Sequence, residues 1–174
     1  MKITPIDIGC LKPFIESATA SDFEKIADLN VRCYEEFALA LAPGSWAIMQ
    51  KNLRNISERA ERSQFLLLRS GDQVVGSVGY CPAGSGDPAI FKPEMASVIL
   101  LAVDPAYRGR GIATALTATC ISKAREAGAA SIGLFTSEIM QAAQHIYCSL
   151  GFQLESELPM RLGVRYFRYV LMLN

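Results

Sequence analysis

The stretch Val98-Ile99-Leu100-Leu101-Ala102-Val103-Asp104-Pro105-Ala106-Tyr107-Arg108-Gly109-Arg110-Gly111-Ile112-Ala113 decides how the rest of the chain is read. It opens as an unbroken apolar run, the pattern of a strand covered on both faces. Asp104-Pro105 ends that strand, because proline has no N–H to give a sheet and restricts the residue before it. Arg108 to Gly111 then form a basic glycine turn, and the residues after it read as a helix. A buried strand, a glycine turn and a helix start make an anion site. The first helical N–H groups lack intrahelical partners and the dipole end is positive. Glycine lets the backbone come close to a phosphate.

Upstream, the buried strand extends back to Met95. Pro82 to Pro93 holds three prolines and two glycines and reads as a loop. Gln64 to Arg69 and Gln73 to Cys81, joined by Ser70-Gly71-Asp72, read as a hairpin. Trp46, Met49, Leu53, Ile56 and Ala60 recur at alternating steps of three and four, the stripe of one helix after Pro43-Gly44-Ser45. Trp46, at its start, either packs in the core or faces a ligand. Ser21 and Glu24 match a capping box, so a helix is expected from there to about Phe37, with Phe23, Ile26, Ala27, Val31, Tyr34 and Phe37 on its apolar side. A short strand is expected near Phe14 to Ala18.

Downstream, the helix after the turn runs to about Ala127 and stops at Gly128. Ser131 to Thr136 is a strand, and Thr136 or Ser137 caps a helix with Ile139, Ala143, Ile146, Tyr147 and Leu150 on its apolar face. Gly151 ends it. Phe152 to Glu157 and Tyr166 to Leu173 are the last strands. No repeat or linker divides the chain, so residues 1–174 read as one α/β domain, a mixed sheet with helices on both faces.

Composition narrows the function. Seventeen Lys+Arg balance seventeen Asp+Glu, so no global field would hold nucleic acid or an anionic membrane. Cys10, Cys33, Cys81, Cys120 and Cys148 are odd in number, with no C-x-x-C pair and one histidine, His145, to join them. Reduced cysteines in a cytoplasmic protein without a metal site fit this pattern. Pro5 and Asp7 interrupt any signal-peptide core, which also makes Cys10 a poor lipid anchor, and Met95 to Val103 is too short to span a bilayer.

Three plain readings of the glycine turn compete. A dinucleotide fingerprint needs a third glycine where Thr114 stands. A P-loop needs Gly-Lys-Ser/Thr, which is absent. The third reading is an ordinary helix entry. More specifically, Arg108, Gly111 and Ala113 fall on the acyl-CoA pyrophosphate signature (Gln or Arg, two residues, Gly, one residue, Gly or Ala). Downstream, Ala143-Gln144-His145-Ile146-Tyr147-Cys148-Ser149-Leu150-Gly151-Phe152 is similar to the alanine, tyrosine and Leu-Gly-Phe run of the same family. The pair of motifs resembles the GNAT superfamily of N-acetyltransferases, over roughly Val74 to Phe152.

The resemblance implies a mostly antiparallel sheet of six to seven strands, splayed near the end of the fourth. It implies acetyl transfer from acetyl-CoA to the primary amine of a small molecule or peptide. The pyrophosphate would lie on Arg108, Gly109, Arg110, Gly111, Ile112 and Ala113. The pantetheine arm would lie along Leu101, Ala102 and Val103, with Ala143 and Tyr147 completing the site. A main-chain N–H near Leu101 would meet the developing oxyanion. A tyrosine, of pKa about 10, can protonate a thiolate of about 8.5, and Tyr147 stands at the family's position for that acid. An asparagine common near the start of the last helix is Met140 here, with Thr136 and Ser137 as substitute hydroxyls. Ser97 falls where some members carry a glutamate base; Glu94, Glu35 and Glu36 are the other carboxylates to consider. His145 reads as a surface or packing residue, and Cys148, a conceivable thiol nucleophile, is one that direct transfer does not need. Dimers are common in the family. The competing functions are a non-catalytic acyl-CoA-binding module and a dinucleotide-binding oxidoreductase.

Overall fold

Nearly every residue of the central strands is enclosed, and this is why they read as apolar runs rather than alternating ones. The computed structural model describes residues 14–173; the leader reading and Cys10 lie outside them. In chain order the elements are β1 (Glu16–Ser17), α1 (Phe23–Tyr34), α2 (Ser45–Arg54), α3 (Ile56–Ala60), β2 (Gln64–Ser70), β3 (Gln73–Cys81), β4 (Met95–Val103), α4 (Ile112–Glu126), β5 (Ser131–Ser137), α5 (Gln141–Ser149), β6 (Gln153–Arg161) and β7 (Val164–Met172). The strands form one sheet of seven in the order β1-β2-β3-β4-β5-β7-β6. Every pair is antiparallel except β4 with β5, which α4 connects as a crossover. This is the mixed, mostly antiparallel sheet expected.

One face of the sheet packs against α4 and α5 through Leu116, Cys120, Tyr147 and Phe152. The other packs against α1 and α3 through Ile26, Leu29, Cys33 and Ile56. A Cβ on Gly76 would stand 2.7 Å from Ile112 Cγ2. The bare backbone of β3 is therefore what lets the start of α4 settle on the sheet.

Several boundaries differ from expectation, each for a local reason. The capping box stands two residues early: the Thr19 N–H donates to Asp22 Oδ2 at 2.9 Å, closing a short 3-10 turn, Ala20–Asp22, that leads into α1 with Asp22 rather than Ser21 as the residue before the helix. After Tyr34 the chain tightens into a 3-10 segment, Glu35–Ala40, in place of a longer α-helix. The Trp46–Ala60 stripe is two helices, because Asn55 (ψ 60°) leaves the helix and gives its side-chain amide to Glu58, a local bond that competes with the helical ladder. Met49, Leu53 and Ile56 stay buried across that break, so the stripe survives. The cap of α5 is Met140, since β5 keeps Thr136 and Ser137 in the sheet. The last hairpin is longer than expected. Leu162 (φ 53°) and Gly163 (φ 82°) form its two-residue turn, both in the left-handed region that such turns use. Pro159 is tolerated because β6 is an edge strand. Among the described residues, no helix is long and apolar enough to cross a membrane.

Candidate active site

The sheet opens where the sequence turns from strand to glycine turn. β4 and β5 pair only over Met95–Ser97 and Ser131–Gly133. Beyond that the two strands part, while β3 follows β4 through a bulge. Gly79 faces Ile99 and Ser77 faces Ala102, so Leu100 and Leu101 together oppose Val78. Leu100 carries the strain of that bulge at φ 51°, a region leucine rarely adopts.

Two cavities meet at the opening. The first, of about 620 Å³, runs along the end of β4 to the glycine turn. Leu101, Ala102, Val103, Arg108, Gly109, Gly111, Ile112, Ala113 and Ala143 all line it, so nine of the expected cofactor residues share one cleft. The second, of about 400 Å³, lies between α2, α3, α5 and the β6–β7 turn. Tyr34, Leu101, Met140 and Ala143 border both.

The floor of the first cleft has the features an anion needs. Gly111, at φ 76°, is the N-cap of α4 and brings no side chain to accept from the first-turn N–H groups. No acidic residue stands in that turn. The strand end is pinned by Asp104, whose carboxylate accepts from the Ala106 N–H at 3.0 Å and from Arg32 Nη2 at 2.9 Å. Arg108 is tethered across the cleft mouth, its Nη2 donating to Glu36 Oε1 at 2.7 Å. Arg110 stands outside the cleft lining, 5.1 Å over the Tyr107 ring and directed at the Ala106 carbonyl.

Tyr147 lines the second cavity, not the first, and is buried with its ring edge-on to Phe152 at 5.9 Å. Burial pushes its phenol well above the ordinary range, so the proton stays on at neutral pH. Tyr34 was legible only as a stripe residue on α1. Its Oη donates to the Leu101 carbonyl at 3.3 Å, and burial likewise raises its phenol. A hydroxyl on the apolar stripe of a helix was the available signal. Cys33 also lines the first cleft and donates to the Val103 carbonyl at 3.2 Å. Burial pushes that thiol up to about 11, which keeps it protonated and non-nucleophilic.

The remaining candidates separate. Ser97 is fully buried, its hydroxyl unpartnered, and lines neither cavity. Glu94 and Glu35 are exposed and line neither; Glu36 lines the first cleft but is engaged by Arg108. Thr136 lines the second cavity, and its buried Oγ1 has no partner. His145 and Cys148 are exposed, and Trp46 packs beside Met49 and Leu53, lining neither cavity. Among the described residues no three His, Cys, Asp or Glu side chains cluster as metal ligands, and Cys33, Cys81, Cys120 and Cys148 are free thiols.

A seven-stranded sheet whose β4 and β5 part just before the β4 bulge, with an uncapped helix start below the opening, is an acetyltransferase-type fold. The chain belongs to the acetyltransferase (GNAT) family, whose model matches residues 23–152. N-acetyltransferase 8B of Homo sapiens is 33% identical over 132 residues, taking in 67% of this chain and 57% of that protein. N-acetyltransferase 8 of Mus musculus is 38% identical over 95 residues, 55% of this chain and 40% of that one. The chain thus spans about half the length of the curated relatives it matches. Among solved structures, the ribosomal-protein-S18-alanine N-acetyltransferase of Escherichia coli superposes with a TM-score of 0.68 at 20% identity, covering 92% of this chain and 93% of that one. The Salmonella typhimurium protein yncA, determined with its cofactor acetyl-CoA, superposes with a TM-score of 0.64 at 18% identity, over 92% and 94% of the two chains. At these identities the likeness is one of fold.

Proposed function

We propose that residues 1–174 form one acetyl-CoA-dependent N-acetyltransferase domain that passes the acetyl group to a primary amine by direct attack on the thioester. The observation that carries this reading is the meeting of two cavities at Leu101. One ends on an uncapped helix start, as a pyrophosphate would require, and the other holds a buried, protonated tyrosine. The names of the curated relatives and the acetyl-CoA of the Salmonella neighbour support the same choice of cosubstrate.

Acetyl-CoA brings the activated acetyl thioester. The first-turn N–H groups of α4, with the dipole behind them, hold the pyrophosphate. Leu101, Ala102 and Val103 hold the pantetheine arm along the strand edge that β5 leaves open. A main-chain N–H near Leu101 serves the oxyanion, and Tyr34 fixes that segment through the Leu101 carbonyl. Tyr147 donates to the departing sulfur. Among the described residues no carboxylate stands on the wall of the second cavity, and the acceptor's proton leaves to solvent.

The test is thiol release from acetyl-CoA with a panel of primary amines. Acceptor-dependent release of CoA, with the matching N-acetyl product by mass, is expected. Tight acetyl-CoA binding without release from any amine would instead leave a non-catalytic binding module. Thermal stabilisation by NAD(H) and not by CoA would return the oxidoreductase reading.

A further inference from the structure

The second cavity carries the charge opposite to the one a bare amine would need. Resting on the reading that this cavity takes the acyl acceptor, we infer that the acceptor is an amine with a carboxylate of its own and an apolar side chain, the class to which the apolar free amino acids belong, held at its carboxylate by Arg59 and Arg161.

Arg59 on α3 and Arg161 at the end of β6 both line this cavity, and among the described residues no aspartate or glutamate does. Many cations elsewhere in the molecule are neutralised, though not the surface residues Arg62, Arg110 and Arg125 among the described residues. Six of the eleven arginines (Arg32, Arg54, Arg69, Arg108, Arg165 and Arg168) hold carboxylates within ion-pair distance. Arg59 and Arg161 hold none among the described residues. The Arg59 Nε is enclosed and has no hydrogen-bond partner, a cost a folded protein rarely leaves uncompensated. Arg161 lies 5.7 Å over the Phe135 ring, which orients its guanidinium without neutralising it.

An ammonium entering alone would meet two like charges. A carboxylate on the same molecule reverses the sign, and a guanidinium fork matches its two oxygens. The rest of the wall sets the remainder of the class: Met49, Leu53, Phe135 and Leu162 are apolar, so the group beyond the carboxylate is apolar too. Among the described residues the enclosed, unpartnered Thr136 Oγ1 is the one hydroxyl on this wall besides the tyrosines, and it can accept from the amine N–H. A cavity of about 400 Å³ suits a small molecule better than a chain end with its continuation.

The experiment compares phenylalanine, phenylalanine amide and phenethylamine as acceptors, by kcat/KM for CoA release. Phenylalanine should exceed both by about 100-fold, since a site built for a charged partner penalises the analogue that lacks it. The preference should collapse in Arg161→Gln, whose exposed side chain can change without disturbing the core, and in Arg59→Gln, while Arg59→Lys keeps part of it. Phenethylamine at parity with phenylalanine would overturn the inference and leave the acetyltransferase reading intact. So would a peptide amine outrunning every free amino acid. If no amine releases CoA, the transferase reading falls. The charge inference is then read by calorimetry, with N-acetylphenylalanine expected to bind the CoA-loaded protein about tenfold tighter than N-phenethylacetamide; equal binding would overturn it.

Discussion

Tyr147, buried, and Tyr34, half-buried, stand at one junction, and their surroundings suit them to different work. Tyr34 already spends its hydroxyl on the Leu101 carbonyl. Tyr147 is raised first by burial and then by the nearby Tyr34, so its phenol holds its proton more firmly than an ordinary tyrosine and is a weaker acid. In the proposed reaction it steadies the developing thiolate and gives up its proton only as the C–S bond breaks. Tyr147→Phe keeps the buried ring and removes one oxygen. It should lower kcat by about 100-fold while the acetyl-CoA KM changes little, as steady-state kinetics would measure. The pH–rate profile of the unaltered protein carries the second half of this prediction. A phenol pushed above about 10 leaves no descending limb below that pH, so a limb near pH 8 would remove Tyr147 from the role. The sequence pointed to Tyr147 because it stands in a recognisable run; Tyr34, which makes the observed contact to β4, stands in none. A side chain whose use depends on the end of a distant strand leaves no local pattern.

At the scale of elements, the strand, turn and helix around Arg108–Gly111 were legible because each is written in adjacent residues: an apolar run, a proline stop, glycines at positive φ. The bulge at Leu100 was not, since it arises from the register of β3 against β4 and not from either strand alone. The break at Asn55 was hidden by a stripe that continues through it. The turn yields a controlled prediction. Gly111 and Gly128 stand at the two ends of α4, at φ 76° and 73°, and an added Cβ would meet nothing within 4 Å at either. Alanine at each therefore costs only the left-handed conformation, about 1–2 kcal/mol. Gly111→Ala and Gly128→Ala should lower Tm alike. Only Gly111→Ala should weaken acetyl-CoA binding in calorimetry, because it alone relieves its strain by turning the N–H groups that face the cleft. Equal loss of binding in both variants would make the effect one of stability, and the turn would lose its proposed role.

For the molecule as a whole, the zero net charge excluded a global field and concealed what the fold does with its charges. Arg59 and Arg161 lie far apart in sequence and come to line one cavity only through the fold, so the positive second cavity could not be read from composition. Elsewhere the charges tie elements together. Asp22 accepts from the Thr19 N–H and from Arg69 Nη2 at 2.6 Å, while Arg69 Nε reaches Glu16, joining β1, the entry to α1 and β2 in one network. The Thr19 N–H first, and then Arg69, hold the Asp22 carboxyl below its ordinary value of 3.8, since both favour the charged form. A depressed carboxyl contributes stability above its unfolded pKa and loses it as pH falls through the folded one. Asp22→Asn should therefore cost about 2 kcal/mol at pH 7, a Tm drop of about 6 °C. The gap between the two proteins should narrow as pH is lowered below 3.8. Neither cavity is lined by Asp22, so acetyl-CoA binding at about 25 °C should be unchanged in the variant. A Tm gap that stays constant from pH 7 to pH 3 would mean that the carboxyl's charge contributes nothing and that Asp22 acts through packing alone.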